Sequence, residues 1–573
     1  MVDTGRQKCR NYDSGAGVAS YDIMWISKAA ADQRAGRAGR TGPGHCYRLY
    51  SSSLYSRQMD SFALPEVLTR PLEDVVLAMK AMRVSNVSNF PFPTPPDAKQ
   101  LNAAVRLLAN LACLDTSKVT GDGSSDGEIT KLGAAVSQLP LGVRYGKMVL
   151  VAAEAGVMDY AIAAVAAMAE NSPFGSISSE SAENETEDDE SLDEEAEQAP
   201  KSKKQKGYWS HRTGDVLATV LAIGAYTHAG RNAGGAAQRM ACRKFCEEHG
   251  LNPVIMSRVH DMRIRLTRLL RNRLVSEESA SEHKLVSLKP PNRLQERLLV
   301  QSIASGLLDN VATLAPVMNT RTDHPLNLRS AYLGATMDAQ EPLFLDRNSV
   351  LYSADPQQLP KWVCYDTLVR KTHKKSGQTI VTMKGVTAID PAWLGVMANQ
   401  SRLLHLGTPL ASPLPLYQEQ KDAIVCAVAT KFGSHGWELP SIRIPWSQAF
   451  AGTSSTSTKL TRQLSVTDEY VWFARYLLEG KVVPELDALR GMLRFEASVV
   501  TTTRGGGPKA VQRWVAALEA GHVQSRRALV DVWRSQGPRG LWSVLQPLMR
   551  PERVSEAERL WVGTARQYMG AVP

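Results

Sequence analysis

Gln33, Arg37 and Arg40 stand in the run Gln33-Arg34-Ala35-Gly36-Arg37-Ala38-Gly39-Arg40, and their types and spacing suit the chemistry of a phosphate chain. On an α-helix, at about 100° per residue, they fall within about 60° of arc, while Arg34 points about 100° away. One amide and two guanidinium forks then face one direction, as binding of a transferring γ-phosphoryl group requires. Gly36 and Gly39 remove side chains that would hold a ligand or a facing backbone away. The elements that must position these residues are legible on either side. Ser27 can cap a helix through Lys28–Ala38, and Cys46-Tyr47-Arg48-Leu49-Tyr50 reads as a strand leading out. The alternative, an arginine–glycine run in a disordered nucleic-acid-binding tail, is disfavoured by those flanking patterns.

The octapeptide resembles motif VI of DEAH-box helicases. Val2-Asp3-Thr4-Gly5 resembles the strand end that follows motif V in that family, and Thr41-Gly42-Pro43-Gly44-His45-Cys46-Tyr47-Arg48-Leu49-Tyr50 continues in the family's manner. The resemblance implies that Gln33, Arg37 and Arg40 reach ATP, with its Mg2+, across a cleft between two RecA-like lobes. Arg37 and Arg40 would stabilise transition-state charge, a role typically worth about 10³ to 10⁵ in rate. The sequence holds no G-x-x-x-x-G-K-[ST] phosphate loop, no DEAH, DExH or DExD tetrad and no Ser-Ala-Thr motif. In the family these lie N-terminal to the octapeptide, and Met1 falls in what should be the middle of a second-lobe strand. The chain is therefore read as a piece of a longer helicase, and as inactive towards ATP by itself.

Composition gives the partner class. The net charge is +10, yet residues 179 to 207 hold eleven acidic side chains and four lysines, which leaves +17 on the remainder. Joined to a helicase-like motif, that excess favours a polyanion such as RNA. Seven cysteines without a C-x-x-C pair fit a reducing compartment. Cys242, Cys246 and His249 fall on one helix face and read as packing rather than a zinc site, since no second half is nearby. The apolar stretch Val149 to Ala169 is interrupted by Glu154 and Asp159 and reads as a buried helix pair, not a membrane span.

Along the chain the expected fold class is multidomain α+β. Residues 1–67 read as the C-terminal part of a RecA-like α/β lobe, including a hairpin over 6–27 whose Arg6, Lys8 and Arg10 share a face. In the family such a hairpin points at RNA; an ordinary solvated hairpin is the other reading. Residues 68–141 resemble a winged helix, with stripes Leu72, Val75, Val76, Met79 and Leu101, Val105, Leu108, Leu111. Residues 142–275 resemble the family's helical ratchet bundle, interrupted by an acidic insertion at 175–207 that is too poor in apolar side chains to fold. Its closing helix alternates an apolar face (Val259, Met262, Leu266, Leu269, Leu270) with Arg263, Arg265, Arg268, Arg271 and Arg273. One or two of these, Arg265 and Arg268 foremost, are expected to touch phosphate. Residues 293–405 resemble the family's OB-fold, with a basic loop, Lys371–Gln378, carrying Lys371, Lys374 and Lys375 towards single-stranded backbone. Where the family tends to have His-Pro before the serines, this chain has Asp346-Arg347. Residues 409–573 form an extension: a Ser/Thr-rich linker at 452–465 and a helical tail.

Arg144-Tyr145-Gly146-Lys147-Met148, the acidic insertion and Tyr470–Val482 most resemble the DEAH subgroup of the nucleolus, which works on the small-subunit processome and releases U3 small nucleolar RNA from pre-ribosomal RNA. The resemblance implies ribosome-assembly proteins as partners, including a helicase-activating cofactor, and no membrane. Two other readings remain open at this level: a truncated, non-catalytic RNA-binding module, and a splicing DEAH helicase.

Overall fold

Ser27 starts the segment that carries the octapeptide: its Oγ accepts from the Ala30 N–H at 3.2 Å and α1 runs over Lys28–Ala35. Before it lie β1 (Val2–Asp3) and the hairpin strands β2 (Arg6–Asp13) and β3 (Val18–Trp25); after it comes β4 (Tyr47–Arg48). β1 and β4 pair in parallel, Val2 with Tyr47 and Asp3 with Arg48.

The structure is a computed structural model. It describes the residues outside 14–17, 41, 64, 70–71, 116–125, 171, 175–208, 210, 232–233, 275–286, 316–327, 337–340, 354, 373–378, 411, 451–467, 503–507 and 571–573. For residues 8–13, 18–22, 66, 69, 272–274, 328, 371–372, 379 and 502 it describes the backbone alone. The acidic insertion, Lys374, Lys375 and the Ser/Thr linker thus lie outside the described residues. Two compact units are present: residues 1–404 with 432–435, and residues 405–431 with 436–573.

In the first unit, Glu73–Ala81, Ala98–Asn110 and Lys131–Ser137 are helices, and Leu114–Asp115 pairs with Glu128–Ile129. They close on a core of Leu72, Val76, Leu77, Met79, Leu101, Leu108 and Leu111. Val75, expected in that stripe, is 42% exposed. The helix begins at Glu73 and turns positions 76, 77, 79 and 80 inward, which leaves 75 on the solvent side. Among the described residues there follow helices Val143–Glu154, Met158–Met168, Asp215–Ala229, Gly235–His249 and Pro253–Leu274. Among the described residues no helix is long and apolar enough to cross a membrane.

Helix Arg293–Gly306 opens on a capping box between Asn292 and Gln295. It ends close against Val143–Glu154: a Cβ on Gly306 would stand 2.5 Å from the Arg144 carbonyl oxygen. Beyond it, strands between Val311 and Ala388 form a sheet around Ala312, Tyr332, Leu343, Val363, Leu368, Val381 and Met383. The N-terminal hairpin joins this sheet. β3 pairs in parallel with strand Thr367–Thr372, Val18 beside Leu368 and Ala19 beside Val369. The result is nine strands with β2 at one end. Lys371, expected in a loop, is instead a strand residue opposite Ile380, because the two strands continue their ladder as far as Thr372 and Thr379.

The second unit adds a sheet, which the sequence did not announce, ahead of the helical tail. Strands Leu404–Pro409, Leu416–Gln418, Ala423–Phe432 and Trp437–Pro445 form a sheet. The run Ile424-Val425-Cys426-Ala427-Val428 is buried throughout, as a strand covered on both faces must be. Helices Asp468–Leu478, Lys509–Ala520, Arg526–Gln536 and Val554–Gly570 follow. Three of them meet at the fully buried indoles of Trp514, Trp533 and Trp561, with Trp533 edge-on to Trp561 at 5.2 Å.

Candidate functional site

The octapeptide is helical, but of two kinds. The α-helix stops at Ala35, and Gly36–Gly39 continue as a 3-10 helix, which shortens the expected helix through Ala38. In a 3-10 helix residues three apart eclipse one another. Arg37 lies within this turn and Arg40 caps it in the right-handed helical region, so the two stand three positions apart at the end of the segment. Gln33, Arg37 and Arg40 are all exposed to solvent. Among the described residues none of the three has a hydrogen bond or an ion pair.

Arg34 has the opposite fate. Its Nη1 donates to Asp3 Oδ1 at 3.1 Å and to the Arg6 carbonyl at 3.2 Å. Asp3 is buried at the end of β1 and also accepts from the Gly5 N–H at 3.0 Å and the Tyr50 hydroxyl at 3.3 Å. Burial pushes the Asp3 carboxyl up, but the Gly5 N–H, the Arg34 guanidinium and the Tyr50 hydroxyl outweigh it and hold the group below its ordinary 3.8. A second clamp holds the same helix at Asp32. Its carboxylate receives Arg48 Nη2 at 2.6 Å and the Tyr55 hydroxyl at 2.9 Å, and the Arg48 guanidinium lies 4.7 Å from the Tyr55 ring centre. These two acids fix the helix from behind, so the front face keeps its cations unspent. Sequence reasoning missed Asp3, Asp32, Arg48 and Tyr55 as positioning residues. Asp3 ends a recognisable strand, but its partner Arg34 stands 31 positions away.

Gly36 and Gly39 face open space, with nothing within 4 Å of where a Cβ would stand; the close approach is at Gly44. A Cβ there would overlap the Ala38 carbonyl oxygen. Gly44 thereby lets the segment after the octapeptide fold back against it.

The unpaired forks and the Gln33 amide fit a polyphosphate by donor chemistry. Among the described residues there is no group of three or more His, Cys, Asp or Glu side chains that could hold a metal.

The expected RNA-facing residues are dispersed over the first unit. Lys8 and Arg10 lie in β2, opposite Ile23 and Tyr21; only their backbone is described. Arg6 is stacked on Trp25, 4.7 Å from the ring centre. Arg265 and Arg268 project from helix Pro253–Leu274, exposed and without partners among the described residues. On the same helix two expectations are overturned. Leu269 is 47% exposed, and Arg263 is 1% exposed. The helix turns Met256, Val259, Arg263, Leu266 and Leu270 inward as one 3.6-residue stripe, and 269 falls outside it. Burial pulls the Arg263 guanidinium down to about 10, Asp159 opposing and Arg271 adding to the shift. Arg271 itself is paired with Asp159 at 3.0 Å. Cys242 and Cys246 are buried, and His249 stacks on Phe245 with ring centres 4.3 Å apart.

The serine loop of the strand domain is held by a residue the sequence did not single out. Asp215, the first residue of helix Asp215–Ala229, accepts from the Val350 N–H at 2.7 Å, Ser349 Oγ at 2.9 Å and the Val386 N–H at 2.9 Å. Ser349 is thus committed to a carboxylate of its own chain. Nearby, Arg144 grips Asp309 with both terminal nitrogens, Nη2 to Oδ2 at 2.6 Å.

Comparison with known proteins gives these features a family. Residues 143–219 match the helicase associated domain (HA2), ratchet-like, and residues 299–401 match an oligonucleotide/oligosaccharide-binding (OB)-fold. The chain is 31% identical over 98% of its length to the probable ATP-dependent RNA helicase kurz of Drosophila melanogaster, covering 44% of that protein. It is 30% identical over 93% of its length to the probable ATP-dependent RNA helicase DHX37 of Homo sapiens, covering 42%. To the probable ATP-dependent RNA helicase DHR1 of Saccharomyces cerevisiae it is 30% identical over 78%, covering 36%. The chain thus spans less than half the length of each of these relatives. These relatives and the ratchet-like and OB-fold matches place the chain among the DEAH-box RNA helicases, to whose C-terminal region it corresponds.

Proposed function

We propose that this chain is the C-terminal portion of an ATP-dependent 3′-to-5′ RNA helicase that acts on pre-ribosomal RNA and small nucleolar RNA in small-subunit ribosome assembly, in the nucleolus. The observation that carries the reading is the sorting of arginines on one short helix. Arg34 is bound to Asp3, whereas Arg37 and Arg40 are exposed and have no side-chain partner among the described residues. Structure alone gains nothing from keeping two neighbouring like charges uncompensated. A polyanion in front of them does.

In this reading ATP supplies the phosphoryl group whose transfer drives movement. Gln33 orients the phosphate chain, and Arg37 and Arg40 meet charge that develops on it. The segments 1–67, 68–141, 142–275, 293–405 and 409–573 act as partial RecA-like lobe, winged helix, ratchet bundle, OB-fold and extension. Arg265, Arg268 and the basic strand end at Lys371 contact RNA phosphates, with Lys8, Arg10, Lys374 and Lys375. Assembly proteins, one of them an activator, complete the complex.

Two experiments test this. RNA crosslinked to the protein in cells is expected to be pre-ribosomal RNA and small nucleolar RNA; recovery of spliceosomal RNA without pre-ribosomal RNA overturns the ribosomal assignment. The isolated chain, mixed with ATP, Mg2+ and RNA, is expected to bind RNA without turnover. Steady ATP hydrolysis by it would show that Gln33, Arg37 and Arg40 are not half of a site.

A further inference from the structure

In the second unit two arginines are held in an unusual way. Leu493 and Met549 form an isolated antiparallel bridge. It is extended by the Arg494 N–H donating to the Leu548 carbonyl at 3.0 Å and the Arg550 N–H donating to the Met492 carbonyl at 2.9 Å. The side chains then cross over it reciprocally. Arg494 Nε donates to the Met549 carbonyl at 2.7 Å, and Arg550 Nε donates to the Leu493 carbonyl at 2.9 Å. Leu493, Leu548 and Met549 are buried, while Arg494 and Arg550 are exposed.

The chemistry is in what is left over. Each guanidinium spends its Nε on a backbone oxygen and keeps its two terminal nitrogens without a hydrogen bond or carboxylate among the described residues. Four other arginines of the unit are compensated by acids. Arg475 pairs with Glu479 at 2.7 Å, Arg526 with Glu419 at 2.9 Å, Arg539 with Glu558 at 3.0 Å and Arg553 with Glu556 at 2.6 Å. Arg494 and Arg550 are pinned yet uncompensated. Diagonal neighbours across an antiparallel pair stand about 7–8 Å apart at Cα, and each of the two forks is tied by its Nε to a carbonyl of the opposite segment. Pinning removes much of the rotamer entropy that an arginine otherwise loses on binding. A planar fork with its two outer N–H groups free matches an oxygen pair on phosphate.

We infer that Arg494 and Arg550 form a second phosphate-binding site, one that takes the backbone of single-stranded RNA on the C-terminal unit. The inference rests on the reading of this chain as RNA-binding and adds to it a contact outside the ratchet and OB segments. Recognition of phosphates alone makes the contact independent of base sequence.

The test uses the full chain and a single-stranded RNA titrated across salt concentrations. Arg494→Gln with Arg550→Gln keeps an N–H donor for each carbonyl and removes both charges and forks. The double variant is expected to melt with the unaltered protein, to bind RNA several-fold more weakly near 0.1 M salt, and to lower the slope of log affinity against log salt by about 0.7 for each phosphate lost. A second measurement needs no variant: RNA is expected to protect Arg494 and Arg550 of the unaltered protein from phenylglyoxal, read by mass spectrometry. Equal affinity and slope in the double variant, or equal labelling with and without RNA, overturns the inference while leaving the proposed function standing. An unaltered chain that binds no RNA overturns both. Protection by polyglutamate with none by RNA would make the site one for an acidic protein and also overturns it. If the variant fails to fold, the labelling result alone decides.

Discussion

Arg34 Nη1 lies 3.1 Å from Asp3 Oδ1, and that one contact sorts the arginines of the octapeptide into two kinds. The arginine held by Asp3 belongs to the scaffold; the two beyond it, at 37 and 40, have no such hold. Substituting either kind should therefore break a different property. In the full-length protein Arg40→Ala is expected to lower ATPase turnover at least about 10³-fold with RNA binding close to normal, and Arg37→Ala to act in the same direction. Arg34→Ala leaves Asp3 buried with fewer donors and should cost about 1–3 kcal/mol of stability. Turnover and thermal melting, measured on the same three proteins, separate the roles. Unchanged turnover in Arg40→Ala would refute the finger assignment.

The Asp3 carboxyl sits below its ordinary 3.8 in the folded chain, so the unfolded chain binds a proton more readily than the folded one. Its stabilising contribution is then fully present above about pH 4 and is lost as pH falls through the lowered value. Melting temperatures of the protein and of Asp3→Asn are expected to differ by a constant amount at pH 5 to 7. The gap should close as acid is added below pH 4. A gap that widened in acid would reverse the sign and rule out the ion pair as its source.

Asp215 closes three hydrogen bonds from Ser349, Val350 and Val386 with no cation to help. Asp215→Ala leaves two backbone N–H groups and a hydroxyl without their acceptor, and should cost about 2–4 kcal/mol. Ser349→Ala removes one donor to Asp215 and the acceptor of the Leu351 N–H, and should cost about 1–2 kcal/mol. Chemical denaturation of both variants checks the order; a costlier Ser349→Ala would mean that the hydroxyl has another task.

Arg265 and Arg268 are exposed on helix Pro253–Leu274, and Arg263, in the same run, is buried. Charge removal at 265 and 268 is expected to weaken single-stranded RNA binding and lower its salt slope by about 0.7 each, leaving the melting temperature unchanged. Arg263→Ala should instead unfold the bundle at a lower temperature. Binding and melting curves that moved together in all three variants would assign the whole run to structure.

How much of this was legible beforehand differs from element to element. Local patterns served well where the determinant was itself local. The Ser27 cap, the helix through the octapeptide, the winged-helix stripes centred on Val76 and Leu108, and the buried pair Val143–Glu154 and Met158–Met168 follow from apolar spacing and capping within a few turns. Phase errors of one residue put Val75 and Leu269 inside and Arg263 outside, because a stripe read from sequence does not say where its centre faces. The strands at 404–445 escaped because a short apolar run bounded by turns has no helical period to announce it.

What the sequence by itself determined is a candidate chemistry, an amide and two guanidinia at helical spacing, and enough ratchet and OB pattern to name the family. Only the tertiary structure decided which arginines remain available. That outcome depends on Asp3 and Asp32 meeting Arg34 and Arg48, on Gly44 folding against Ala38, and on β3 lying beside Leu368 and Val369 some 350 positions along the chain. Pairings of that reach leave no periodic trace, since either partner alone is simply a charged or apolar residue. Their energy exists only once the chain has brought the two together and removed water from between them.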